Sequence, residues 1–347
     1  MPKNRQKRAE GPRRWPIGAV VVGLIAALGL GIGGVALFLG HGGAQNAEAG
    51  VSRLRLEDIP FDGQRAYGYL KRICDLGPRP SGSKGMEAQQ KLLLEHFSTL
   101  GGKVRLQRFE AQHPRDGCRV PMANLIVQWH PESKDRVLVC AHYDTLPYPM
   151  LDPRDPQGVF LGANDGASGV AILMELAHEI PNLKTKYGVD FALFDGEEFV
   201  FDPDGTYFLG SKHFAEGYAA DRPPYRYRWG VLLDMVGDAD LQLYQERNSM
   251  LADTRPLVEE IWATARRLGV REFIARKKYE VRDDHVVLHN VAGIPACDII
   301  DFDYPAWHTR ADTPEQCSAL SLAKVGWVVR EWLAPSGRGG RQGGGGD

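Results

Sequence analysis

The sequence predicts an α/β domain with a largely parallel sheet and helices on both faces, preceded by one transmembrane helix. Short apolar runs rich in β-branched residues alternate with longer segments of helical period across residues 124–332. Acidic and histidine residues follow several of the short runs, and an uncharged apolar stretch of bilayer length occupies residues 17–40. At 43% hydrophobic and 25% charged residues, the 347-residue chain otherwise has an ordinary globular composition.

Residues 1–16 form a basic arm that we expect to lie in the cytoplasm. The net charge of the whole chain is −2, and the basic residues of the arm are Lys3, Arg5, Lys7, Arg8, Arg13 and Arg14. Without the arm, the rest of the chain is mildly acidic, whereas a nucleic-acid-binding domain needs a basic face. The charge distribution therefore argues against nucleic acid as a partner.

Residues 17–40 are predicted to form a transmembrane signal-anchor helix, because the stretch exceeds the roughly 20 apolar residues that cross a bilayer. A buried soluble helix is the weaker alternative, since it would show a polar stripe. A cleaved signal peptide is the stronger one, since small residues occur at 44–49, although its apolar region would run to about 7 to 15 residues. The basic arm predicts a single-pass membrane protein whose catalytic domain lies on the periplasmic or extracellular side.

We expect residues 41–50 to be a linker and the folded unit to span residues 51–334. The tail at 335–347 is glycine-rich and has almost nothing apolar to bury, which predicts disorder. The folded unit contains five cysteines without a CxxC pair, which argues against a zinc ribbon or a thioredoxin site. One or two disulfides and buried free thiols both stay open as interpretations.

Predicted strands and helices alternate along the folded unit. Strands are expected at 124–129, 136–142, 189–194, 229–236 and 296–302. Helices are expected at 166–180, 207–218, 254–268 and 321–332. The chain has neither a GxGxxG sequence nor a P-loop sequence, so nothing indicates a nucleotide site.

Acidic and histidine residues gather where the predicted strands end. They are His142, Asp144, Glu197, Glu198, Asp234 and His308, together with Asp165 in a glycine-rich turn before a helix. Because parallel strands end at one edge of a sheet, these side chains can converge there. Carboxylate oxygen and imidazole nitrogen are the ligands of catalytic zinc sites. Adjacent Glu197 and Glu198 point in opposite directions on an extended backbone, so one can bind metal while the other acts as a base.

Each of these residues, taken singly, has a structural alternative. Asp165 can cap the following helix, Glu197 and Glu198 can form a solvated pair, and His142 can be a hydrogen-bonded histidine of the core. Acidic or imidazole groups at four consecutive strand ends, together with Asp165, favour the metal site over these separate explanations.

Eight short motifs occur in order between residues 75 and 313, and the resemblance that they carry runs over about residues 74–329, nearly the whole folded unit. They are DLGPRPSGSK (75–84), AHYDT (141–145), GANDGASGVA (162–171), FDGEE (194–198), LLDMVG (232–237), DDH (283–285), GIPA (293–296) and WHTRADT (307–313). The set resembles the zinc-dependent M28 peptidase superfamily and, within it, most resembles the glutaminyl-peptide cyclotransferase branch. The resemblance implies a three-layer α/β/α sandwich with a mixed, mostly parallel central sheet.

Two zinc arrangements follow from the resemblance. If the chain is similar to the M28 aminopeptidases, it binds two ions and removes N-terminal residues from peptides, with Glu197 as the base. The implied ligands are His142, Asp165 and Asp234 for one ion and Asp165, Glu198 and His308 for the other. If it is similar to the cyclotransferases, it binds one ion. The implied ligands are then Asp165, Glu198 and His308.

The cyclotransferase resemblance also implies further roles. The enzyme would convert the N-terminal Gln of a peptide or protein to pyroglutamate, and Glu197 would carry a proton from the α-amino group to the leaving ammonia. Asp234 and Asp284 would complete a hydrogen-bond network around Glu197, and Trp307 would line the glutaminyl pocket.

The motifs favour the cyclotransferase over two alternatives. The DDH triplet and a tryptophan directly before His308 favour the cyclotransferase, whereas the complete two-metal ligand set and the sequence GANDGASG favour the aminopeptidase. A membrane-tethered binding domain without catalysis would be indicated by loss of a ligand. Asp165, Glu198 and His308 are all present.

Overall fold

The structure is a computed structural model that describes residues 51–202 and 205–334. The predicted arm, membrane span, linker and tail lie outside these residues. Within the described ranges no helix is long and apolar enough to cross a bilayer. The longest described helix, Lys84–Thr99, has 16 residues, against the roughly 20 that a span needs. The predicted single-pass membrane localisation, with the catalytic domain on the periplasmic or extracellular side, is overturned by this finding.

A six-stranded mixed sheet forms the centre of the domain. The strands within the described residues are β1 (Lys103–Gln112), β2 (Arg119–Trp129), β3 (Asp135–His142), β4 (Gly188–Phe194), β5 (Arg226–Asp234), β6 (Leu243–Gln245), β7 (Phe273–Lys277) and β8 (Ala296–Ile300). The order in the large sheet is β1-β2-β4-β3-β5-β8, and β6 pairs with β7 separately. The pairings β1 with β2 and β2 with β4 are antiparallel, and the other three are parallel. The predicted mixed, mostly parallel sheet is confirmed.

Helices cover both faces of this sheet. They are α1 (Gly63–Cys74), α2 (Lys84–Thr99), α3 (Ala167–Leu176), α4 (Leu209–Asp221), α5 (Arg255–Leu268), α6 (Asp284–Ala292) and α7 (Ala319–Leu333). Alternate residues of β3 point to opposite faces. Val137 and Val139 join one core with α1, α2, α3, α5 and α7, whereas Leu138 and Cys140 join another with α4 and α6. The domain is therefore the predicted three-layer α/β/α sandwich.

Local chemistry explains where several helices begin. The side chain of Ser83 accepts a hydrogen bond from the amide of Met86 at 3.1 Å, which caps α2. Ser318 caps α7 in the same way through the amide of Leu320 at 3.1 Å. Such caps contribute about 1 kcal/mol each to stability. Helix α4 begins two residues later than predicted because Phe208 adopts a left-handed backbone with φ of 65°.

A buried ion pair connects the strands at the edge of the sheet where β3 and β4 begin. Arg136 Nε lies 3.1 Å from Asp190 Oδ2, and both side chains are buried. The hydroxyl of Tyr227 donates to the same oxygen at 2.6 Å. Arg136 also donates to the carbonyl of Trp129 at 2.7 Å. These contacts connect β2, β3, β4 and β5 through one charged pair.

All five cysteines are free thiols, and four of them are buried. Burial raises the pKa of Cys74 to about 12, so this thiol stays protonated at neutral pH. The sequence left disulfides and buried free thiols open as interpretations, and the structure contains free thiols.

Candidate metal centre

The carboxyl ends of four parallel strands bring the predicted residues to one edge of the sheet. His142 is the last residue of β3 and pairs with Phe194, the last residue of β4. Asp234 is the last residue of β5 and pairs with Ile300, the last residue of β8. The segments after β4 and β8 carry the two glutamates and His308 to the same edge. All of these side chains are buried.

Asp165 lies between two histidines at the centre of this group. Its Oδ1 is 3.2 Å from His142 Nε2, and its Oδ2 is 3.5 Å from His308 Nε2. Burial opposes the ionisation of Asp165, but the hydrogen bond with His142 and the charge of His308 outweigh burial and lower its pKa. Asp165 is therefore a carboxylate whose two oxygens face two different imidazoles.

The turn that carries Asp165 requires glycine at the next position. Gly166 has a φ of 90°, a conformation that residues with a side chain rarely adopt. A Cβ atom there would lie 2.8 Å from the carbonyl oxygen of Asp144 and 3.2 Å from Cε1 of His142. The glycine lets the start of α3 approach the end of β3 closely, which places Asp165 against His142.

Glu198 and His308 lie on one side of Asp165. Glu198 Oε1 is 3.0 Å from His308 Nε2, and its Oε2 accepts the amide of Leu146 at 2.9 Å. Burial raises the pKa of Glu198 to about 8, and the nearby charge of Asp165 adds to the effect. A cation at this position would stabilise the ionised form of both carboxylates.

His142 and Asp234 lie on the other side of Asp165. His142 Nε2 is 3.1 Å from Asp234 Oδ1. Burial opposes protonation of His142, but its contacts with Asp144, Asp165 and Asp234 raise its pKa well above the ordinary value. Burial raises the pKa of Asp234 despite the contact with His142.

The donor set fits a zinc ion. One ligand atom from each of His142, Asp165 and Glu198 lies within 4.8 Å of the other two. In the described part of the chain, Asp165 Oδ2 and His142 Nδ1 are buried without a hydrogen-bond partner. Such groups are costly to bury unless something else satisfies them. Imidazole nitrogen and carboxylate oxygen are the atoms that zinc binds in catalytic sites.

Glu197 lies beside this ligand set. Its Oε2 is 3.8 Å from His142 Nδ1, and the residue is 9% exposed. Burial raises the pKa of Glu197 well above the ordinary value; the charge of His142 opposes the shift, and the charge of Asp283 adds to it. A carboxyl group with a raised pKa keeps its proton to a higher pH than an exposed glutamate does and can release it to a neighbouring atom.

The DDH triplet places two aspartates near Glu197, of which the sequence analysis selected Asp284. Both are buried, and Asp283 caps α6 by accepting the amide of Asp284 at 2.5 Å. The charge of Asp283 raises the pKa of Glu197 more than that of Asp284 does. The pKa of Asp283 is itself raised well above the ordinary value by burial and then by Asp234. Asp283 was not predicted to be a site residue, although an aspartate directly before a helix is a recognisable N-cap signal.

Aromatic rings line one side of the site. The ring of Trp307 lies 4.1 Å from that of His308 between centroids and 5.0 Å from that of Phe302. Trp307 is partly buried. Phe160 packs edge-on against His308 at 6.3 Å. Phe160 and Phe302 were not selected from the sequence because an isolated aromatic residue has no distinguishing pattern.

Two site residues adopt backbone conformations that favour glycine. His308 has a φ of 56°, and Met235, directly after Asp234, has a φ of 46°. Residues with a side chain are uncommon in this region and persist there only when the surrounding structure holds them. Backbone strain is therefore located at the two segments that carry His308 and Asp234.

Comparison with known proteins relates this geometry to a family. A family model described as peptidase family M28 matches residues 124–333. Among curated proteins, the glutaminyl-peptide cyclotransferase of Bos taurus is 25% identical over 288 residues, covering 74% of this chain and 77% of that protein.

Two solved structures are similar in fold and sequence. The glutaminyl cyclase of Fimbriiglobus ruber is 41% identical with a TM-score of 0.76, covering 79% of this chain and 95% of that one. A Zn-dependent exopeptidase from Parabacteroides distasonis is 32% identical with a TM-score of 0.73, covering 79% and 99%. The similar proteins thus include both a cyclase and an exopeptidase.

Proposed function

Because the chain belongs to peptidase family M28 and is similar to a Zn-dependent exopeptidase, we propose that it is a zinc-dependent glutaminyl-peptide cyclotransferase. The observation that carries the proposal is the similarity to a solved glutaminyl cyclase, 41% identical over 95% of that chain. The substrate is the N-terminal Gln of a peptide or protein, and the products are pyroglutamate at that terminus and ammonia.

The proposed ligands of one zinc ion are Asp165, Glu198 and His308. They are supported by the contacts of His308 Nε2 with Glu198 at 3.0 Å and with Asp165 at 3.5 Å. A zinc ion bound there supplies Lewis-acid polarisation of the γ-carbonyl group of the substrate. The amide of Leu146 holds the second oxygen of Glu198, which orients the ligand.

Glu197 is the proposed base and acid of the reaction. The α-amino nitrogen forms a bond to the γ-carbonyl carbon, and the bond from that carbon to the amide nitrogen breaks. Glu197 accepts the proton that the α-amino group loses and returns it to the departing nitrogen, which leaves as ammonia. Its raised pKa supports this role, since a proton carrier works best when its pKa lies near the working pH. The α-amino group and the γ-carbonyl group belong to the same Gln residue, so they are held close together and cyclisation is favoured.

Asp234, Asp283 and Asp284 are proposed to surround Glu197 and to set its protonation. The support is that Asp283 and Asp284 both raise the pKa of Glu197.

Trp307 is proposed to line the glutaminyl pocket. Its half-exposed ring packs on His308, where one face of a planar side-chain amide can rest.

An M28 aminopeptidase is the second candidate function. It is favoured by the position of Asp165, whose two oxygens face His142 and His308 separately. This arrangement allows a second metal position formed by His142, Asp165 and Asp234. Hydrolysis of an N-terminal peptide bond would then use Glu197 as the base for water.

The test assays the purified full-length protein for ammonia release from an N-terminal Gln peptide and for amino-acid release from a Leu peptide. Bound zinc is measured on the same sample. Pyroglutamate formation with about one zinc per chain supports the cyclotransferase. Hydrolysis with about two zinc ions per chain supports the aminopeptidase. If neither activity is found with zinc present, both proposals fail, and a catalytically inactive binding domain remains.

A further inference from the structure

The buried carboxylate of Asp312 connects the two chain segments that carry Asp165 and His308. Asp312 Oδ1 accepts the amide of Asn164 at 2.8 Å, and Oδ2 accepts the amide of Asp165 at 3.1 Å. The hydroxyl of Tyr304 donates to Oδ1 at 2.7 Å. Asp312 has no exposed surface, so water does not compete for these hydrogen bonds.

The segment between His308 and Asp312 is a short turn whose ends are hydrogen-bonded. The amide of Asp312 donates to the carbonyl of Thr309 at 3.1 Å, and the amide of Thr309 donates to the carbonyl of Ala306 at 3.0 Å. On its outer side, the amide of Leu151 donates to the carbonyl of His308 at 3.0 Å. The position of Asp312 is therefore transmitted to His308, which has the strained φ of 56°.

We propose that Asp312 is a positioning residue that sets the distance between Asp165 and His308 and so determines zinc affinity. The carboxylate of Asp312 holds the turn that carries Asp165, and Asp312 itself belongs to the turn that follows His308. Without it, the two segments can shift independently. Part of the free energy of zinc binding must then offset the entropic cost of ordering them. The proposal rests on the zinc centre described above but does not depend on which reaction the centre performs.

Asparagine at this position cannot replace the carboxylate. If its amide oxygen keeps the contacts with Asn164 and Tyr304, its amino group faces the backbone N–H of Asp165. Two donors then oppose each other in a buried site, and the turn that carries Asp165 must move. The substitution therefore acts on a ligand without removing one.

Asp301 offers a matched control. It is also fully buried, and its carboxylate accepts two backbone amides, from Gln242 at 2.7 Å and from Asp303 at 3.0 Å. Burial raises the pKa of both Asp301 and Asp312 to about 7. The two aspartates thus differ in that Asp312 accepts the amide of a proposed ligand, Asp165, whereas neither amide that Asp301 accepts belongs to a proposed ligand.

The experiment measures zinc affinity by chelator competition and the visible spectrum of the cobalt(II)-substituted protein for wild type, Asp312→Asn and Asp301→Asn. We expect Asp312→Asn to weaken zinc binding by about 10- to 100-fold, as loss of a residue that orients a ligand typically does. We also expect an altered cobalt spectrum. Asp301→Asn should keep the affinity within about threefold of wild type and leave the spectrum unchanged, because neither amide that Asp301 accepts belongs to a proposed ligand.

Equal affinities and spectra for the two folded variants would overturn the proposal and leave Asp312 a purely structural residue. If Asp312→Asn does not fold, Tyr304→Phe removes one of the three hydrogen bonds and is measured in its place. An affinity and a spectrum unchanged in Tyr304→Phe would then overturn the proposal. A wild-type protein that binds zinc but catalyses neither reaction removes only the proposed function, whereas one that binds no zinc removes the metal centre itself.

Discussion

The carboxylate of Asp144 accepts the backbone amide of Glu198 at 3.0 Å through Oδ2, while its Oδ1 accepts the amide of Glu197 at 3.1 Å. The two hydrogen bonds attach consecutive residues after β4 to the end of β3. They hold the backbone of both glutamates whatever the charge of the Glu197 side chain. One glutamate can therefore exchange a proton while its neighbour keeps its position as a ligand.

This arrangement predicts the effect of Glu197→Gln. We expect turnover to fall by at least about 100-fold, because general acid–base catalysis contributes roughly that much or more. Zinc content should stay at the wild-type value, because no proposed ligand changes. Rate and zinc content are measured on the same preparation, with the exposed Glu280→Gln as the matched control. Substantial activity in Glu197→Gln would remove this residue from the mechanism.

The raised pKa of Glu197 predicts the pH dependence of the reaction. Burial raises this pKa well above the ordinary value. A base works only when deprotonated, so kcat/KM should rise with pH through the raised pKa and fall as pH decreases below it. The acid limb should therefore lie above the range near pH 4.3 expected of an exposed glutamate. A profile that stays flat down to about pH 5 would contradict the assignment.

Substitution of Trp307 is expected to weaken substrate binding and to leave zinc binding unchanged. Its ring packs on His308 at 4.1 Å and on Phe302 at 5.0 Å. Trp307→Ala should raise KM for an N-terminal Gln peptide by about tenfold, the equivalent of roughly 1.4 kcal/mol of lost contact. Trp307→Phe should lose less, because it keeps an aromatic surface. Equal loss of zinc in both variants would show instead that the ring only supports His308.

The pair Arg136 and Asp190 predicts a large effect on stability without an effect on the site. Asp190→Asn leaves the buried guanidinium without its counter-charge, which typically costs about 3 to 5 kcal/mol. Tyr227→Phe removes only one hydrogen bond to Asp190 and should cost about 1 kcal/mol. Urea unfolding measures both values. A loss below about 1 kcal/mol for Asp190→Asn would indicate that the surrounding carbonyl groups suffice for Arg136.

The sequence by itself determined the α/β class and the set of residues at the candidate metal centre. Both depend on local properties, since apolar runs end where strands end and parallel strands end at one edge. The positions of His142, Glu198 and Asp234 after predicted strands were sufficient to predict that these side chains lie at one edge of the sheet. The sequence also indicated a membrane span at residues 17–40, which lies outside the described residues, and the predicted membrane localisation is overturned.

Only the tertiary structure decided that Asp283 caps α6 and that Asp312 joins the turns of Asp165 and His308. The connection through Asp312 depends on contacts between residues far apart in the chain. Such contacts form when helices and strands pack, and local periodicity does not encode them.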